Sequence, residues 1–236
     1  GFAIDHIGHR NTFLLCTIFM VLALALIYRW RRGLARLHKP VTVAEENKRV
    51  SDLLRIPALF RVFVVSGLLS MCWDLYSFVM PIHGSRIGLS ASTIGLILGS
   101  FGCANFLFRL VLPWIVHRFD ERKLLIGGML VTGVMLGLLP LYDGVAYLMT
   151  ISFIMGFGLG GTQPIIMAML YEKAPPGRGG EAVGMRTQLL NFTQAGIPLI
   201  FGAVGAALGM TPVFFAMAAA TLWGAWFAKG GERVNG

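Results

Sequence analysis

Charge is scarce in this chain. Asp, Glu, Lys and Arg make up 13% of its 236 residues, about half the roughly 25% typical of soluble globular domains. Hydrophobic residues make up 56% and mean hydropathy is +0.73, a composition that would aggregate in water. Cysteine is scarce too. Cys16, Cys72 and Cys103 all lie in apolar stretches, which suits small packing residues and gives no sign of a disulfide framework. His6, His9, His38, His83 and His117 fall in loops or at the ends of apolar stretches, so no intramembrane metal or haem cluster is expected. H-E-x-x-H, the P-loop and G-x-S-x-G are all absent, and with them the enzyme classes those motifs mark. No charged n-region precedes the first apolar run, so a leading signal peptide is not expected.

What the chain does have is long apolar runs. One lies at about Thr12–Tyr28, ahead of a basic linker from Arg29 to about Arg61. Six follow, at about Val62–Ile82, Ser92–Val116, Leu124–Leu141, Val145–Leu170, Val183–Ala207 and Pro212–Ala228. Each is near the roughly 17–25 residues that cross a bilayer as a helix. Net charge is +9, but the basic residues sit in loops and not on an aromatic-lined face, so nucleic acid is not an expected partner. They set orientation instead. With the linker in the cytoplasm, seventeen Lys and Arg fall on that side, against Arg10 and Arg86 opposite and Arg109 within a span. That asymmetry is the positive-inside pattern. The expected location is a bacterial inner membrane, with linker and C-terminal tail cytoplasmic. A short surface helix is expected in the linker, around Ala44–Leu54.

Polar residues are shared unevenly among the spans. Ser66, Ser70, Asp74 and Ser77 fall on one face of the first span after the linker. Gly95, Gly99, Gly102, Asn105 and Arg109 make a similar stripe on the next. Ser152, Gly156, Gly160 and Gln163 do so on the fourth, and Gln188, Asn191, Gln194 and Pro198 on the fifth. The third and sixth offer little besides Thr132 and Thr221. Polar side chains within a bilayer turn toward protein or a wet cavity, and wholly apolar helices can face lipid. The order polar, polar, apolar, repeated once, reads as two three-helix units. An odd number of helices per unit inverts the second in the membrane.

Three stretches carry a resemblance. Gly1-Phe2-Ala3-Ile4-Asp5-His6-Ile7-Gly8-His9-Arg10-Asn11 is similar to the passage from the fifth to the sixth helix of major facilitator superfamily transporters. Pro113-Trp114-Ile115-Val116-His117-Arg118-Phe119-Asp120-Glu121-Arg122-Lys123 resembles the basic turn between the second and third helices of their C-terminal half. It has Pro113 where Gly is usual and His117 where Asp is usual. Pro175-Pro176-Gly177-Arg178-Gly179-Gly180-Glu181, with Leu189-Leu190-Asn191 and Pro198, resembles the start of the eleventh helix in drug-efflux-like members.

The resemblance implies an all-α integral membrane protein, a partial major-facilitator fold with seven of an expected twelve transmembrane helices. Residues 1–28 would end the N-terminal half, 29–61 would be the central linker, 62–228 the C-terminal six-helix half and 229–236 a tail. It also implies secondary active transport by alternating access. Partners would be a small-molecule substrate, the lipid bilayer and the missing N-terminal helices. No cofactor is implied; a proton gradient would drive transport. Efflux of amphipathic or drug-like compounds is the preferred reading, with proton-symport uptake of a small polar metabolite as runner-up. A seven-helix receptor or channel is a distant third: the last span has no lysine for a retinal Schiff base, and a long basic loop after the first span is unexpected there.

Asp74 is the acid deepest in a span. Placing a charge there costs about 2.5–3.5 kcal/mol on insertion scales, so it should be partnered, protonated or cavity-lining. It is the proton-coupling candidate, with a structural carboxyl bonded to Ser70, Ser77 or a neighbouring helix as the alternative. Ser70, Trp73, Ser77, Asn105, Gln163, Gln188, Asn191 and Gln194 are candidates for the substrate cavity, although interhelical hydrogen bonding suits the amides equally. Arg109, Arg118, Arg122, Lys123, Glu181 and Arg186 are candidates for a cytoplasmic gate. Arg109 is expected to snorkel to the interface. Gly156-x-x-x-Gly160, Gly133-x-x-x-Gly137 and Gly205-x-x-x-Gly209 are expected to allow close helix approach.

Overall fold

A computed structural model describes residues 13–14, 17–29 and 50–229, which fold into helices joined by short turns. Helix α1 (Thr17–Arg29) is exposed along its length. A 3-10 turn, Val50–Arg55, follows. Residues 44–49 of the expected linker helix lie outside the described residues. The main body comprises α2 (Pro57–Arg86), α3 (Ala91–Val116), α4 (Glu121–Leu138), α5 (Val145–Gly160), α6 (Thr162–Lys173), α7 (Gly179–Leu208) and α8 (Thr211–Lys229). Among the described residues five spans are long and apolar enough to cross a membrane, with α5 and α6 counted as one. The 30-residue α7 also has the length; Glu181, Arg186, Gln188, Asn191 and Gln194 make its first half polar.

The ends of these helices follow from local chemistry. α2 starts at Pro57, five residues before the expected span, because proline at the first helical position already has a helical φ and needs no N–H partner. Arg61 is thereby drawn out of the linker into the helix. Ser90 Oγ accepts from Thr93 N (3.2 Å) to start α3, and Asp120 Oδ1 accepts from Arg122 N (3.0 Å) to start α4. Gly209, at φ 84°, turns the chain after α7. It therefore serves the turn, and Gly205-x-x-x-Gly209 is not the helix-packing motif expected. The expected span Val145–Leu170 is interrupted at Gly161. Pro164 has no N–H to give Gly160 O four residues back, so the helical ladder opens there.

Side-by-side packing pairs the helices in a regular way. α2 lies on α7, α3 on α5 and α4 on α8. Counting α2–α4 as one triplet and α5/α6–α8 as the other, first meets second, second meets first, and third meets third. In a bilayer such contacts rest on close approach, since lipid tails are as apolar as leucine. A Cβ on Gly156 would strike the Phe101 carbonyl and come within 2.9 Å of Ala104 Cβ; one on Gly160 would lie 2.9 Å from Phe108 Cβ. One on Gly133 would lie 2.9 Å from Leu222. The first two of the three glycine motifs thus do bring helices together. Thr132 and Thr221, the hydroxyls of the apolar pair α4 and α8, are fully buried, and Leu130, Val134, Phe215, Trp223 and Trp226 are exposed on the outer faces.

Candidate functional site

The broken span sets up the site. With Pro164 unable to donate, the Gly160 carbonyl is taken instead by Arg109 Nε of α3, at 3.2 Å. Arg109, exposed overall, lines a cavity of about 290 Å³ with Ser70, Trp73, Asp74, Gln163, Leu190 and Gln194. A carbonyl freed inside the bundle thus holds Nε of Arg109, while the rest of the side chain stays exposed. No ion pair joins it to Asp74; the side-chain pairs among the described residues are His83–Asp143 and Arg178–Glu181. The acid and the base instead face a common space.

Asp74 and Ser70, one turn apart on α2, enter that space with hydrogen-bonding capacity left over. Ser70 Oγ and Asp74 Oδ2 are buried and have no partner among the described residues, while the Gln194 amide approaches the carboxyl from α7. Trp73 is set by an edge contact with Phe101, ring centroids 4.9 Å apart. Buried polar atoms are paired in the great majority of cases. Two orphans on one wall are what a site for a ligand, water or proton requires.

Below the cavity, toward the linker end, a buried arginine closes the floor. Arg186 is 4% exposed; its Nε donates to Ser66 Oγ (2.6 Å) and its Nη2 to Gln163 Oε1 (2.5 Å). Arg186 is one of the cytoplasmic-gate candidates. It turns inward because Ser66 and Gln163 satisfy its guanidinium there, and Glu181 pairs locally with Arg178 instead (2.5 Å). Ser66 and the Arg186 bridge escaped the reading of candidates. A signal existed, since Arg186, Leu190 and Gln194 recur every four residues on one face of α7.

The remaining candidates do not join this cluster. Ser77, Gln188 and Asn191 are exposed. Asn105 is buried, with its backbone against Gly160 and its Nδ2 without a partner. Tyr76 and Ser152 hydroxyls lie near one another, but neither makes a hydrogen bond of good geometry. Of the basic turn, Arg118 and Lys123 are exposed, and Arg122 holds the end of α8 through the Ala228 and Lys229 carbonyls. The gate candidates therefore do not converge on one contact. Among the described residues no group of His, Cys, Asp and Glu could hold a metal ion.

Residues 62–232 match the model of the Major Facilitator Superfamily. The chain is 26% identical over 146 residues to a probable sulfoacetate transporter of Cupriavidus necator, covering 62% of this chain and 34% of that protein. It is 28% identical over 185 residues to the class G tetracycline resistance protein of Vibrio anguillarum, covering 75% of this chain and 42% of that protein. The chain thus spans about a third to two-fifths of the length of these relatives. With the family match running from the first turns of α2 past the end of α8, the chain belongs to the major facilitator superfamily, a family of transporters and not of enzymes.

Proposed function

We propose that the protein containing this chain is a proton-coupled secondary transporter of a small polar molecule, with the Asp74 cavity as this chain's part of the substrate site. The observation that carries this reading is the cavity lining: six of its seven residues, Ser70, Trp73, Asp74, Arg109, Gln163 and Gln194, carry hydrogen-bonding side chains. Arg109 can meet an anionic group, Asp74 a cation or a transported proton, and Trp73 an apolar face. Binding at a midplane between two halves, followed by rocking of one half against the other, is the physical route. The other half of the cavity, and five further helices, would come from sequence upstream. Linker and tail would face the cytoplasm of a bacterial inner membrane, and the proton gradient would stand where a cofactor would.

Efflux of amphipathic compounds is the second reading. It is favoured by the Trp73 and Leu190 wall and by the relative named for tetracycline resistance. Tetracycline and sulfoacetate are the two probes. Cells lacking the full-length gene would become tetracycline-sensitive under the efflux reading, or lose sulfoacetate uptake under the polar-metabolite reading. In proteoliposomes, Asp74→Asn should lower pH-gradient-driven transport of the active probe at least about tenfold, equivalent to about 1.4 kcal/mol. The variant should still elute as a single species. Unchanged pH-dependent transport by that variant would sink the coupling role.

A further inference from the structure

At the linker end of the bundle three cations converge on one cavity of about 160 Å³ whose lining, among the described residues, contains no acid. Arg61 comes from the second turn of α2, Arg122 from the first turn of α4, and Lys173 is the last residue of α6. All three are half-buried. The cavity lies where four helices meet, since α2 packs on α6 and α8, and α4 packs on the same two. Its deeper wall is Val62, Val65, Leu125 and Met169, so charges at the mouth are weakly screened from within.

Helix dipoles account for part of this arrangement. Lys173 ends α6, and Arg122 is bonded to the last carbonyls of α8, so each meets a negative pole. Arg61 and Arg122, however, also stand close to the N-terminal, positive poles of their own helices, where a cation is disfavoured. Two positive poles and three cations face one space with no carboxylate among them. Arg122 is held in place by Nε (3.1 Å) and Nη2 on the Ala228 carbonyl. Its Nη1 makes no bond among the described residues, and a fixed guanidinium with a spare N–H fork is well suited to phosphate oxygens.

We propose that this cavity is a binding site for a phosphate-bearing anion at the membrane surface, held by Arg61, Arg122 and Lys173. Two sources share that chemistry: the headgroup of an anionic phospholipid, for which basic pockets between helix ends are suited, and free phosphate. The anion neutralises the converging cations and ties four helices together, so its binding raises stability by mass action.

The test uses the full-length protein in detergent and the Arg61→Gln/Lys173→Gln double variant; Arg122 is left alone because it holds α8. Thermal unfolding is followed with inorganic phosphate against chloride at equal ionic strength, and with phosphatidylglycerol against phosphatidylcholine. The expected result is a rise of about 2–4 °C with the anion that binds, lost in the double variant. A rise with phosphate assigns the site to a soluble anion, and a rise with phosphatidylglycerol alone assigns it to lipid. The proposal is overturned if neither exceeds its control, or if the double variant rises as much as the parent. Should the double variant aggregate, Lys173→Gln alone must reduce the rise; an undiminished rise in it also overturns the proposal.

Discussion

Where α4 meets α8, Gly133 presses on Leu222 and Thr221 is satisfied by the Met217 carbonyl (2.7 Å) and Cys72 Sγ (2.9 Å). Where α2 meets α6 and α7, a buried guanidinium bridges Ser66 and Gln163, and Ser70 and Asp74 keep polar atoms without partners. Apart from the Arg122 bonds to the Ala228 and Lys229 carbonyls at its linker end, the first interface is apolar and close-packed, as expected of a contact that rests mainly on shape. The second carries polar groups at a cost that a packing contact would not tolerate. Cohesion and chemistry are thus divided between opposite sides of the same bundle: α4 and α8 hold, and α2, α3, α6 and α7 present the site.

The division can be broken from either side. Gly133→Leu should have the largest effect, because a side chain there meets both Leu222 and the Ala218 carbonyl, at 2.9 and 3.3 Å from the Cβ alone. Overpacking of a core costs about 1–3 kcal/mol and more when backbone must move. The expected outcome is loss of most monodisperse protein on size-exclusion chromatography. A variant that elutes and melts like the parent would show that the dry interface yields easily. Next comes Arg186→Met, which leaves buried Ser66 and half-buried Gln163 without their donor. Unsatisfied buried groups cost about 1–3 kcal/mol, so the melting temperature should fall by several degrees. Probe transport should fall as well, since Gln163 also lines the cavity. Transport at the parental rate would separate the Arg186 bridge from the site.

The dry side was the more legible in the sequence. With little polar besides Thr132 and Thr221, spans 124–141 and 212–228 read as able to face lipid, and pattern alone suffices where packing is apolar. Asp74, Ser70, Trp73, Gln163 and Gln194 were also legible, as polar groups at helical spacing inside apolar spans. Arg109 and Arg186 were not, because a long side chain near a helix end has two outlets. Which one it takes depends on partners on other helices. For Arg109 the partner is the Gly160 carbonyl, left free by Pro164; for Arg186 it is the pair Ser66 and Gln163. Proline's missing N–H is visible in the sequence, but the identity of its replacement is a fact of tertiary structure.

The smallest effect should sharpen the comparison most. Thr221→Val keeps the shape of the side chain on α8 and removes one hydroxyl, so the Cys72 thiol loses its partner across the α2–α8 contact. The Met217 carbonyl keeps its intrahelical bond, so only a thiol is left unsatisfied. A net hydrogen bond is worth about 0.5–1.5 kcal/mol, and the thiol is a weak donor, which puts the loss at the lower end of that range. Melting should therefore drop by no more than a few degrees, and probe transport should be unchanged. If transport fell while the melting temperature held, the hydroxyl would belong to the functional side of the bundle, and α8 would have to be counted with the helices that present the site.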